Sequence, residues 1–230
     1  MSGSFLLLAA ALGAAEPVGP DTRVIVVVGV GGEAEYAQAF SEWADRWEAA
    51  AESGGASFTR IGGEGPAARG DGEADGEADR RELASLLAEE PKTGAAPLWL
   101  VLLGHGTFDG REAKFNLRGR DVSAAELAAW LEPFERTQVI VNCASSSAPF
   151  INRLSRTGRV IVTATKSGYE LNYARFGDYL SRAIAEPAAD LDRDEQVSIL
   201  EAFLVASGRV AEFYEEETRL ATETALIDDN

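Results

Sequence analysis

The 230-residue chain contains one histidine and one cysteine, and each stands at the end of an apolar run. Trp99, Leu100, Val101, Leu102 and Leu103 lead into Gly104-His105-Gly106, and Val139, Ile140, Val141 and Asn142 lead into Cys143. An imidazole beside a thiol suits nucleophilic hydrolysis. A thiol near its reference pKa of about 8.5 is only a few per cent thiolate at neutral pH, and a positioned histidine both raises that fraction and protonates a leaving amine. Glycine after the histidine lets a substrate carbonyl approach the backbone, so the N–H groups of Gly106 and Cys143 are the expected oxyanion donors. The competing reading makes Cys143 a small core residue and His105 a hydrogen-bonded loop residue.

Both runs are short, aliphatic and followed by small residues, the pattern of strands buried on both faces of a parallel sheet. Between them residues 122–132 predict an amphipathic helix, with Ser123 as N-cap, Glu126 three residues on, and Leu127, Trp130 and Leu131 on one face. Strand, helix and strand make a right-handed crossover, and open α/β sheets bind ligands beyond the carboxyl ends of their strands. With no strand between them, His105 and Cys143 come side by side at that edge.

The remaining chain supplies the rest of such a domain. Residues 23–29 read as a buried strand with Gly29, Gly31 and Gly32 in its exit turn, but the turn lacks the third glycine of a dinucleotide fingerprint. Residues 34–51 predict a helix whose Tyr36, Phe40, Trp43 and Trp47 form a core-facing stripe. A strand over 56–61, a helix over 79–89, a short strand over 114–118, a helix over 149–154, a strand over 159–165 and a helix over 176–186 follow from the same patterning. Residues 62–79, nearly all Gly, Ala, Glu and Asp, predict a flexible acidic loop. The loop over 166–174 lies at the catalytic edge and is the expected wall of a substrate pocket.

Composition narrows the partners. A formal charge of −17 argues against nucleic acid and anionic lipid. One cysteine and one histidine rule out an internal disulfide and a Cys/His zinc site, so catalysis is expected to need no cofactor. Residues 1–15 have signal-peptide length and a small-residue end but no basic start. They predict export to the periplasm or outside the cell if they are a leader and a cytoplasmic protein otherwise, with no stable membrane insertion.

A second candidate site follows the helix expected over 176–186. Asp190, Asp192, Asp194, Gln196, Ser198 and Glu201 match the ligand positions of an EF-hand loop, with Gln196 offering its backbone carbonyl and Glu201 two oxygens to calcium. Glu195 stands where that loop has glycine, which costs on the order of 1 kcal/mol in the left-handed region. The helix after it is expected to run to about residue 222. An acidic N-cap before a long helix explains the same residues without a metal.

Over residues 23–185 the chain resembles the legumain-like cysteine peptidases of the caspase-like clan. The resemblance rests on Leu102-Leu103-Gly104-His105-Gly106, on Val141-Asn142-Cys143-Ala144-Ser145-Ser146, on Val162-Thr163-Ala164-Thr165, and on Glu170-Leu171-Asn172-Tyr173-Ala174. It implies a three-layer caspase/hemoglobinase-like α/β fold with a mostly parallel central sheet. His105 would be the general acid/base, Cys143 the nucleophile and Gly106 an oxyanion residue of an endopeptidase acting on peptide or protein substrates. Asn142, Glu170, Asn172 and Tyr173 are the expected substrate contacts. Departures fall on specificity: Val141 replaces an acidic residue, and Ala37-Gln38 stands where the family has Arg-His. Cleavage after Asn is therefore not implied, and Glu170 and Asp178 suggest Lys or Arg instead. The expected organisation is a leader over 1–15, a catalytic domain over 22–186, and an EF-hand-like loop with a C-terminal helix over 187–230. The alternatives are a transamidase of the same fold and an inactive calcium-dependent binding or scaffold module.

Overall fold

A computed structural model describes residues 21–63 and 77–230. The leader expected over 1–15, and residues 64–76 of the expected acidic loop, lie outside the described residues.

Six strands form the central sheet in the order β2 (Ser57–Gly62), β1 (Arg23–Val28), β3 (Leu98–Leu103), β7 (Gln138–Asn142), β8 (Arg159–Thr163) and β9 (Leu226–Asp229). The first five are parallel and β9 runs antiparallel to β8. Strands β1, β3, β7 and β8 are aliphatic and almost wholly buried, because helices cover both faces. On one face α1 (Ala34–Ser53), α5 (Phe176–Ala183) and α6 (Ile199–Glu216) pack against Val24, Trp99, Val101, Leu103, Val139 and Val141. On the other, α2 (Ala78–Glu89), α3 (Ala124–Leu131) and α4 (Pro149–Leu154) pack against Ile25, Leu98, Leu100, Leu102 and Ile140. The segment after residue 186 is thus part of the main core, since Val197, Ile199, Ala202 and Ala206 are buried in it.

Helix α3 begins as its sequence dictates. Ser123 accepts the N–H of Glu126, and the Glu126 carboxylate accepts the N–H of Ser123, closing a capping box. A small antiparallel sheet of β4 (Gly106–Phe108), β5 (Ala113–Phe115) and β6 (Val122–Ser123) stands between β3 and α3. It is braced from α2 by the buried Asp79, whose two oxygens accept from Nε and Nη2 of Arg118 at 2.8 and 2.6 Å. No helix among the described residues is long and apolar enough to cross a membrane.

Candidate active site

Strands β3 and β7 are direct neighbours, and Leu102 pairs with Asn142, so the histidine and cysteine loops leave the sheet side by side. Alternation places both side chains on one face: Leu103 and Cys143 belong to the core beneath α1, α5 and α6, and His105 follows Leu103 by two. The imidazole stands edge-on to Tyr36 and Phe40 of α1, at 5.2 and 5.1 Å between ring centroids. Its Nε2 lies 3.2 Å from the carbonyl oxygen of Gly31, in the exit turn of β1. A carbonyl only accepts, so the proton sits on Nε2 and Nδ1 keeps its lone pair. Burial lowers the imidazole below the ordinary histidine value, against the pull of the Gly31 carbonyl.

Cys143 is 1% exposed, and its thiol has no hydrogen-bond partner among the described residues. Its surroundings are Trp43 of α1 and Gly177 in the first turn of α5. Burial, and secondarily the charge of Glu223, push the thiol far up, so it is held protonated. Imidazole and thiol therefore share a face without forming an ion pair or a hydrogen bond in this conformation.

The two expected oxyanion donors are both occupied. The Cys143 N–H donates to the Leu102 carbonyl at 2.9 Å, as part of the ladder between β3 and β7. The Gly106 N–H donates to Ser145 Oγ at 3.3 Å, while that hydroxyl donates to the Gly106 carbonyl at 3.1 Å. Gly106 is needed here for a reason other than substrate approach: a Cβ would run into the Ser145 carbonyl oxygen. Beyond it, Ser147 Oγ accepts the N–H groups of Ala164 and Thr165 at 3.1 and 3.3 Å, and Thr165 Oγ1 accepts that of Ala148 at 3.1 Å. The loop after the cysteine is thereby tied to the end of β8. Its strain is visible at Ser146, whose φ is 55° and whose buried hydroxyl has no partner among the described residues.

The expected substrate contacts divide. Asn142 is buried, and its Oδ1 accepts the Ala144 N–H at 3.1 Å, so it shapes the cysteine loop and does not face a substrate. Glu170 accepts the Lys166 N–H at 2.8 Å and closes its own loop. Asp178 is held by Arg46 at 2.6 Å and Arg182 at 3.0 Å. Tyr173 and Asn172 do line a pocket of about 400 Å³, with Tyr36, Arg175, Phe213 and Arg219 among its other walls. Tyr173 stacks on Tyr36 at 4.7 Å, and both rings lie against His105. The Arg175 guanidinium packs over Phe213 at 4.4 Å.

Sequence patterning found the stripe on α1 but not that its first member, Tyr36, touches the imidazole. Nor did it single out Glu223, which is 3% exposed and accepts the N–H groups of Arg175 and Phe176 at 2.9 and 3.0 Å.

In the EF-hand-like loop, carboxylate oxygens of Asp190, Asp192 and Asp194 lie within 4.8 Å of one another. Asp190 accepts the N–H groups of Arg193, Asp194 and Glu195, and Glu195 has the left-handed φ of 71° expected for its position. The donor set of hard oxygens suits calcium. Ser198 and Glu201 do otherwise: they close a capping box on α6, and Glu201 Oε1 also accepts the N–H groups of Leu191 and Asp192 at 2.7 and 3.1 Å. Partial burial raises Glu201, but the surrounding donors outweigh it and hold its carboxyl below the usual range. Gln196 donates its N–H to Asp194 at 2.9 Å.

No protein-family model matches the chain, and no curated protein matches it significantly. Among solved structures it is similar to the Drosophila initiator caspase Dronc, with a TM-score of 0.54 and 12% identity over 90% of this chain and 79% of that one. It is also similar to protein GSU0716 from Geobacter sulfurreducens, with a TM-score of 0.52 and 10% identity over 90% of this chain and 92% of that one. At such identities the likeness is one of architecture: the fold is a caspase-like α/β fold with a mostly parallel sheet.

Proposed function

We propose that the chain is a cysteine endopeptidase of legumain-like type, held closed in the conformation described. The observation that carries this reading is that the chain's one imidazole and one thiol leave adjacent parallel strands at their carboxyl ends on the same face. With the thiol uncovered, His105 takes its proton as Cys143 attacks the peptide carbonyl, then passes that proton to the leaving amine. Water releases the acid from the acyl-enzyme. The Cys143 N–H is committed to the sheet, so the oxyanion donor that a side-chain rotation releases is Gly106, freed when Ser145 Oγ turns away.

Specificity follows from which charges are spent. Glu170 and Asp178 are consumed locally, which removes the basis for Lys or Arg before the scissile bond. Arg175, whose guanidinium lies over the Tyr173 ring, favours a carboxylate-bearing side chain beside it instead. A peptide-library cleavage profile tests the reading on Glu223→Ala, which frees the start of the helix covering the thiol, and on the same variant carrying Cys143→Ala or His105→Ala. Cleavage by the first, lost in the other two, is expected, and equal background in all three overturns it.

Burial of the thiol favours a second reading, a binding module of the same fold that performs no hydrolysis. A transamidase differs from the peptidase only in the acceptor, and product analysis with added amine separates them. Calcium at Asp190, Asp192 and Asp194 is a subsidiary proposal, supported by their clustering and opposed by the commitment of Glu201 to backbone donors.

A further inference from the structure

After Tyr214 the only buried residue of the described chain is Glu223. The segment around it lies on the surface, and Leu220 is 91% exposed. The Glu223 carboxylate reaches inward to the start of α5, a helix whose own N-cap, Arg175, supplies no side-chain cap. Its two oxygens accept the N–H groups of Arg175 and Phe176, and Oε1 also accepts the Tyr214 hydroxyl at 3.1 Å. The next residue along α5 is Gly177, where a Cβ would lie 2.9 Å from that of Cys143 and hard against the Trp43 ring. One side chain from the C-terminal segment thus fastens the turn that covers the nucleophile.

We infer that residues 217–225 form an autoinhibitory strap: Glu223 clamps the first turn of α5 onto Cys143, and the thiol becomes reactive when that clamp is released. The strap is built to detach. Its one buried residue is polar, and around it Thr222 Oγ1 meets the Tyr214 hydroxyl at 2.8 Å and Ala225 packs half-buried on the core, so release forfeits little apolar burial, whereas the core elements are held by continuous hydrophobic packing. The contact also acts electrostatically, because the Glu223 charge opposes formation of a second negative charge on the sulfur. Uncovering the thiol and easing its ionisation are therefore one event.

Cys143 is the only thiol in the chain, so an aromatic disulfide reagent such as DTNB reads this site alone. Glu223→Gln keeps the shape but offers one acceptor to two N–H donors, and Glu223→Ala removes both. The modification rate at pH 8 is expected to rise at least tenfold in Glu223→Ala and by less in Glu223→Gln, with native circular dichroism retained. Leu127→Ala, on α3 across the sheet, loosens the fold without touching the strap. Rates unchanged in both Glu223 variants overturn the proposal, and so does an equal acceleration by Leu127→Ala at matched stability. The regulatory meaning rests on the peptidase reading, but the thiol measurement does not. Faster modification with no peptide cleaved by any variant upholds the strap and overturns the peptidase.

Discussion

Gly177 is seated directly on Cys143, leaving no room for a methyl group between α5 and the end of β7. Gly177→Ala is therefore expected to destabilise the protein by about 1–3 kcal/mol, as overpacking of a closed core does. Urea denaturation measures the loss. The same variant should admit thiol reagents to Cys143 faster, since the added carbon lifts the helix that covers it.

Protonation of His105 should cost stability. Its folded pKa lies below the ordinary histidine value of 6.5, so below that pH the unfolded chain binds the proton more readily than the native one. Stability contributed by the neutral ring is thus present above pH 6.5, is lost as pH falls, and levels off below the folded value. Denaturation midpoints of wild type and His105→Gln should converge in slope above this range and diverge within it. Parallel profiles throughout would mean the ring is not buried as described.

Histidine, cysteine and their strands were legible because aliphatic runs ending in small residues have few alternatives in an α/β chain. The capping box at Ser123 and Glu126 was legible for a similar reason, being a local pattern. What escaped the sequence was non-local. Gly177 and Glu223 look like any glycine and any acid of an acidic tail until the fold lays Gly177 against Cys143 and Glu223 against the two N–H groups just before it. Likewise Leu226–Asp229 carries two aspartates in four residues, a composition strands disfavour, yet it pairs with β8 as β9. Asn142 and Glu170 stood at positions where substrate contacts were expected, but the backbone N–H groups nearest to them had the prior claim.

Asp79→Ala should weaken the support of the small sheet that begins at Gly106. Asp79 is buried, whereas Arg118 is 39% exposed and already reached by water, so the expected loss is about 1–3 kcal/mol and not the larger penalty of a stranded buried charge. Chemical denaturation checks the value, and a change under 0.5 kcal/mol, about the scatter of neutral surface substitutions, would remove the bracing role.

Glu201 and the aspartates of its loop should separate cleanly. Without any metal, Glu201→Ala is expected to lower stability by about 1–2 kcal/mol through loss of the α6 capping box, and Asp192→Asn to change it little. In calcium titration calorimetry, Asp192→Asn should abolish whatever heat the wild type shows. Heat retained by Asp192→Asn would place calcium elsewhere.

Trp43 lies against the same turn of α5 that Glu223 fastens, with its ring almost fully shielded from solvent. Release of the strap would wet that indole and shift its emission to longer wavelength, so the molecule carries an intrinsic optical reporter of its own unlocking. Stopped-flow fluorescence can then time the event in unlabelled protein, whether or not any peptide bond is ever broken.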